Sequence, residues 1–174
     1  MSDAIDMLIR MAQNNAWANA RLYDRMSDMD AATFAAPRPG FFGSIKATLN
    51  HIHQADLYYI DALEQGGQGR SVYATDEISD VPRLAAAQAA TDARLIRFCT
   101  GLSPDMLDDI RHTERREGIM TETVRALLPH LFQHQVHHRG QAHVMLQDAG
   151  IAPPQLDEFH LDYDRHPAAQ AYFT

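Results

Sequence analysis

Histidine is the residue type whose spacing in this chain most directly suggests chemistry. The sequence contains ten histidines, and five of them fall between His130 and His143. On a helix, His134 and His138 lie one turn apart on the same face, so both imidazoles can reach one ion. Neutral imidazole is a good ligand for zinc, iron and nickel. The pair therefore predicts two ligands of a divalent metal ion.

The hydrophobic pattern around this pair favours the same interpretation. At about 100° per residue, His134 and His138 fall in the middle of the apolar stripe that contains Leu127, Leu131 and Met145. Imidazoles in such a stripe are costly to bury unless a partner satisfies them. A shared cation is one such partner.

The third ligand is expected from an earlier helix, since a catalytic zinc site usually takes three protein ligands and leaves one position open. His51 lies at the edge of the apolar stripe of its segment, whereas His53 faces elsewhere. We therefore predict a mononuclear site formed by His51, His134 and His138.

Four helical segments must position these residues. Clusters of glycine and proline divide the chain, and apolar residues recur at three- and four-residue spacing within 4–28, 44–65, 80–101 and 121–149. Ser44 and Asp80 are predicted N-caps, and Gly150 is predicted to end the last helix. No convincing alternating strand pattern is present, although residues 107–119 have room for a short extended segment. The predicted fold class is all-α, a four-helix bundle in which a long connection crosses over.

Pro129 breaks a local rule, because inside a helix it removes a backbone hydrogen bond and clashes with the preceding turn. Either the helix bends there or a new helix begins near Leu128, and a bend would direct the histidines that follow. The whole chain, 1–174, is expected to form a single domain, with 155–174 as a C-terminal tail that packs on it.

Composition excludes several classes of protein. The chain has 174 residues, a formal net charge of −8 and one cysteine, Cys99. An acidic balance disfavours sequence-independent nucleic-acid binding, and a single cysteine excludes an intrachain disulfide framework. No apolar run reaches the ~18 residues of a membrane span. The start of the chain does not read as a secretory signal. We expect a cytoplasmic protein that binds neither nucleic acid nor membranes.

Three segments in order carry a resemblance to a known family. The stretch 130–141 reads HLFQHQVHHRGQ, 15–19 reads NAWAN, and 49–56 reads LNHIHQAD. Together they resemble the signatures of the DinB/YfiT-like family over about residues 5–160. Gln133 departs from the asparagine that is usual at that position. The resemblance implies a four-helix bundle with a long crossover, a metal held by His51, His134 and His138, and a homodimer.

The resemblance also implies thiol chemistry, since characterised relatives include S-transferases that use low-molecular-weight thiols. The leading hypothesis is therefore a metal-dependent thiol S-transferase acting on small electrophiles, with zinc, nickel or iron as the ion. A non-catalytic metal-binding bundle is one alternative, and it predicts a fourth protein ligand from His130 or His137. Metal-assisted hydrolysis is another, and it needs a base beside the metal. Gln135 replaces the glutamate that a zincin peptidase requires.

Overall fold

The computed structural model describes residues 3–173, which are predominantly helical. The described part contains four long helices, one short helix, and two strands. In chain order they are α1 Asp3–Asp24, α2 Ala31–Ala35, α3 Ile45–Glu64, α4 Val81–Thr100, β1 Ile110–Arg115, β2 Gly118–Thr123 and α5 Val124–Asp148. Short 3₁₀ turns cover Gly69–Ala74, Pro104–Asp108 and Pro167–Tyr172. The predicted all-α class is confirmed, with a small hairpin added.

Capping residues set the ends of the long helices where the sequence predicts them. The Ser44 side chain accepts a hydrogen bond from the Ala47 amide at 3.0 Å, and Asp80 does the same for the Arg83 amide at 2.9 Å. Each cap satisfies an amide that has no partner inside the helix. Gly150 follows α5 with a φ of 76°, a left-handed conformation that glycine adopts without steric cost.

The four long helices form the bundle. α1 packs chiefly on α4, and α3 packs chiefly on α5. The first two long helices, α1 and α3, therefore lie diagonally in the bundle. The connection over residues 25–44, which contains α2, crosses between them. This arrangement places α3 beside α5, the two helices that carry the predicted ligands.

The region before α5 differs in detail from the sequence-based prediction. β1 and β2 form an antiparallel hairpin in which Ile110 pairs with Thr123, so extended structure reaches further than predicted and α5 begins at Val124. The hydroxyl of Thr123 caps α5. α5 continues unbroken through Pro129, so the prediction of a new helix near Leu128 is wrong. A bend of the axis at Pro129 stays a prediction.

The C-terminal residues pack on the outer side of α1. The ring of Phe159 lies 5.6 Å from that of Trp17, centroid to centroid, and both side chains are buried. His166 hydrogen-bonds Arg21 at 2.6 Å. No helix in residues 3–173 combines the length and the apolar character needed to cross a bilayer.

Candidate metal centre

Two neighbouring helices bring the three predicted histidines together. α3 supplies His51, and α5 supplies His134 and His138 from consecutive turns. The Nε2 atoms of His51 and His134 lie 3.0 Å apart. The His138 ring lies 4.7 Å from that of His51 and 4.5 Å from that of His134, centroid to centroid. One ligand nitrogen from each residue lies within 4.8 Å of the other two.

The histidines occupy the edge of the bundle interior, and not the middle of the apolar stripe as predicted. His134 and His138 are half-buried, while Gln135 and Arg139 are 1% and 5% exposed. The interior-facing side of α5 is therefore rotated towards these two polar residues. Buried partners on other helices hydrogen-bond them, which offsets the cost of burying polar groups. The rotation leaves the imidazoles at the rim between α3 and α5.

The donor set fits a divalent metal ion. The Nδ1 of His138 hydrogen-bonds the amide oxygen of Gln141 at 3.1 Å, which places its proton there and leaves Nε2 free as a ligand. Burial, together with the smaller effect of neighbouring histidines, lowers the pKa of His51 to about 4 and that of His134 to about 3. The rings are therefore neutral at physiological pH, the form that binds metals.

A metal ion explains the convergence of the three imidazoles better than a single shared proton does. A proton joins two nitrogens, such as the Nε2 atoms of His51 and His134, and leaves His138 without a role. The Nδ1 of His134 is also buried and has no hydrogen-bond partner in the described part of the chain. Three converging neutral imidazoles are the ligand set of a mononuclear site with an open position.

The remaining histidines of this region lie outside the cluster. Tyr59 hydrogen-bonds the Nε2 of His130 at 2.9 Å, and Gln141 hydrogen-bonds the Nε2 of His137 at 3.2 Å. Within residues 3–173, neither histidine joins the group of nitrogens within 4.8 Å, and no carboxylate does. His53 is half-buried elsewhere on α3. Among residues 3–173 the geometry therefore shows no fourth protein ligand.

An aromatic side chain covers one side of the cluster. The Phe42 ring stacks on the His51 ring at a centroid distance of 4.1 Å and lies 5.3 Å from that of His138. The preceding residue, Phe41, is 82% exposed. Their loop is held to α5 by the ion pair between Arg38 and Asp148 at 2.9 Å. Phe42 thus limits the rotation of two of the imidazoles.

A buried polar network lies inside the bundle behind the histidines. Asp56 accepts amide hydrogens from Gln135 at 3.0 Å and from Gln88 at 2.8 Å. Gln88 also donates to Asp92 at 3.0 Å. Through Gln135, which is adjacent to His134, this network connects α3 and α4 to α5, which carries two of the three histidines.

The same network extends to the first helix. Asn15 and Asn19 each donate to Asp92, at 2.9 and 3.1 Å. Their side-chain oxygens accept from Arg139 at 2.6 and 2.9 Å. Asn15 therefore hydrogen-bonds inside the bundle. Apolar periodicity assigns no role to Asp56, Asp92 or Arg139, although a charged residue at an interior position of a helix is a signal for such a network.

Two cavities differ in their position relative to the histidines. One of about 260 Å³ is lined by His134 of the cluster together with His130, Gln133 and His137. A larger one of about 540 Å³ lies between α1 and α4, away from the histidines. Reactive groups rather than volume identify a site of chemistry, so we assign the smaller cavity to the metal centre.

Comparison with known proteins agrees with the fold and with the motifs. A family model described as the DinB family matches residues 1–167. The chain is 27% identical to the protein DinB of Bacillus subtilis over 161 residues, covering 87% of this chain and 91% of that protein.

Two solved structures have a similar fold. One is a DinB-like protein of Bacillus subtilis, with a TM-score of 0.63 and 19% identity, covering 86% of this chain and 96% of that one. The other is a DinB-like protein of Bacillus cereus, with a TM-score of 0.63 and 18% identity, covering 81% and 89%.

Proposed function

The chain belongs to the DinB family, and we propose from its three-histidine cluster that it is a metal-dependent thiol S-transferase acting on small electrophiles. The observation that carries the proposal is the convergence of His51, His134 and His138 without a fourth protein ligand in residues 3–173, beside a cavity. The family and the cluster fit a metal-binding DinB-like protein. The transferase activity, the choice among zinc, nickel and iron, the homodimer and the cytoplasmic location are our proposals.

In the proposed reaction the three histidines would hold the ion beside which the thiol reacts. When bound, a divalent ion supplies a Lewis acid that favours the thiolate form of a thiol near neutral pH. The neutral imidazoles add no negative charge to the site. The thiol sulfur forms a bond to the electrophilic carbon, the leaving group departs with the electron pair of its bond, and the thiol proton passes to solvent.

The chain offers no competing protein thiol nucleophile. Cys99 is fully buried in the hydrophobic core, and burial raises the pKa of its thiol to about 12. A thiol with so high a pKa is almost entirely protonated at neutral pH and is a poor nucleophile. The reacting sulfur must therefore come from a second, small molecule.

Matched variants on one helix test the proposal. Untagged protein is loaded with zinc, nickel or iron in turn, its metal content is measured by elemental analysis, and conjugation of low-molecular-weight thiols to a chromogenic electrophile is followed. We expect His51→Ala to lose both metal and turnover. His53→Ala, altered two residues away and outside the cluster, should keep both.

Two results would decide against the proposal. Turnover by metal-free protein equal to that of loaded protein would show that the ion has no role in the reaction. One metal per chain with no turnover for any pair of thiol and electrophile would favour the non-catalytic metal-binding bundle.

A further inference from the structure

A short polar chain leads away from the histidine cluster along the groove between α3 and α5. The Nη2 atom of Arg115, at the end of β1, donates to the Tyr59 hydroxyl at 3.0 Å. Because that oxygen accepts from a guanidinium, its own proton is directed to the Nε2 of His130, 2.9 Å away. His130 then carries its proton on Nδ1. The His130 ring lies 6.5 Å from that of His134, centroid to centroid.

Arg115 is a positively charged group without an anionic partner in the described part of the chain. It forms no ion pair within 4.0 Å among residues 3–173, although other arginines of the chain pair with Asp148, Glu64 or Asp108. Its guanidinium is only partly exposed and lies 5.4 and 5.8 Å from the ring centroids of Tyr59 and Tyr58. These rings hold the group in place, and a guanidinium keeps several further N–H donors free.

His130 connects the Arg115 end of the polar chain to the metal centre. His130 lines the same cavity of about 260 Å³ as His134. His130 and His138 are separated by slightly more than two helical turns, or ~12 Å along the α5 axis. An elongated small molecule with its sulfur at the cluster can therefore extend an anionic end towards Arg115.

We propose that Arg115, positioned by Tyr59 and flanked by His130, is a subsite for the carboxylate of the thiol co-substrate. This inference rests on the proposed function and specifies its substrate class as a low-molecular-weight thiol that carries a carboxylate. A planar guanidinium fork matches a carboxylate. A dianionic phosphate is less suited, because a single arginine would face it and the chain carries a net charge of −8.

A matched pair of probes tests the subsite. Cobalt-substituted protein is titrated with mercaptohexanoate and with mercaptohexanol, and binding of sulfur is followed by the sulfur-to-cobalt charge-transfer band. We expect the acid to bind roughly 10-fold tighter than the alcohol, the size expected for a charge-assisted hydrogen bond. Arg115→Met should abolish this preference, whereas Arg116→Met, altered at the exposed neighbouring position, should keep it.

A second measurement on the unaltered chain does not depend on metal. The Arg115 Nε–H signal in an NMR spectrum, identified by its absence in Arg115→Lys, is followed during titration with hexanoate and with hexanol. We expect only hexanoate to shift it. Because it uses the unaltered chain, this measurement tests the subsite even when the Arg115→Met variant does not fold.

The outcomes separate the subsite from the proposed function. Equal affinity for the two thiols, or a preference that survives in Arg115→Met, would overturn the subsite and leave the metal–thiol chemistry intact. If neither thiol produces the band, the proposed function fails, and the NMR titration then decides the subsite. An Arg115 signal that responds equally to hexanoate and hexanol would overturn it.

Discussion

The replacement Asp56→Asn should change how stability depends on pH. Asp56 is fully buried, and burial, followed by the nearby charge of Asp92, raises the pKa of its carboxyl to about 8. The amide oxygens of Gln88 and Gln135 are buried without a partner in the described structure. If one of these amides rotates, a protonated Asp56 can donate to its oxygen. We therefore expect the folded protein to hold this carboxyl protonated at neutral pH.

The sign of the effect follows from proton binding in the two states. In the unfolded chain an aspartate has a pKa of about 3.9. Between about pH 4 and pH 8 the folded chain thus binds one proton more at Asp56 than the unfolded chain does. The contribution of Asp56 to the free energy of unfolding should therefore fall by ~1.4 kcal/mol for each pH unit in this range. This contribution is fully present below about pH 4 and is lost as pH rises through about 8.

Urea denaturation in the presence of a metal chelator measures this effect. Unfolding of the wild type and of Asp56→Asn is followed by circular dichroism at several pH values between about 5 and 8. The wild-type advantage over the variant should shrink steadily as the pH rises, because asparagine does not titrate. Asp108→Asn, at a largely exposed aspartate, should run parallel to the wild type. A constant difference between wild type and Asp56→Asn would refute the reasoning.

Three further predictions concern the cover of the site and the core. Phe42→Ala should weaken metal binding by roughly 2- to 10-fold, the size of one aromatic contact, in a chelator competition in which Phe41→Ala stays near wild type; equal effects would deny the stacking on His51 a role. Gly40→Ala should lower the thermal midpoint, because its φ of 147° is a conformation that L side chains rarely adopt and the added Cβ would displace the terminal methyl of Met145; an unchanged midpoint would contradict this. Leu131→Ala should lower the free energy of unfolding, measured by urea denaturation, by about 2–5 kcal/mol, since the side chain is fully buried. A loss below about 1 kcal/mol would contradict this, because it would mean that neighbouring side chains fill the space left by the leucine.

Most of the fold could be predicted from the sequence because helix ends depend on local chemistry. Ser44, Asp80 and Gly150 act within one turn of their own positions, and the predicted segments match the long helices closely. The beginning of α5 was harder to predict. Residues 110–123 pair across the hairpin, and such pairing depends on neighbours in space as well as on local pattern.

The candidate site, like the fold, was only partly predictable from the sequence. A one-turn spacing was enough to name His134 and His138, and the motifs that carry the family resemblance supported His51. The rotation of α5 was not predictable from apolar periodicity, since Gln135 and Arg139 occupy the interior through hydrogen bonds to residues more than 75 positions away. Periodicity counts polar residues as exposed, so it placed the histidines too deep.

By itself the sequence determined the helical segments, their caps and the three histidines that a bundle of this kind could direct at one ion. These properties depend on residues within a few positions of one another, where backbone geometry leaves little choice. Only the tertiary structure decided which nitrogens face each other, that Phe42 covers His51, and that Arg115 reaches Tyr59 and His130. Those contacts depend on the relative rotation and register of separate elements, which the packing of the whole bundle sets.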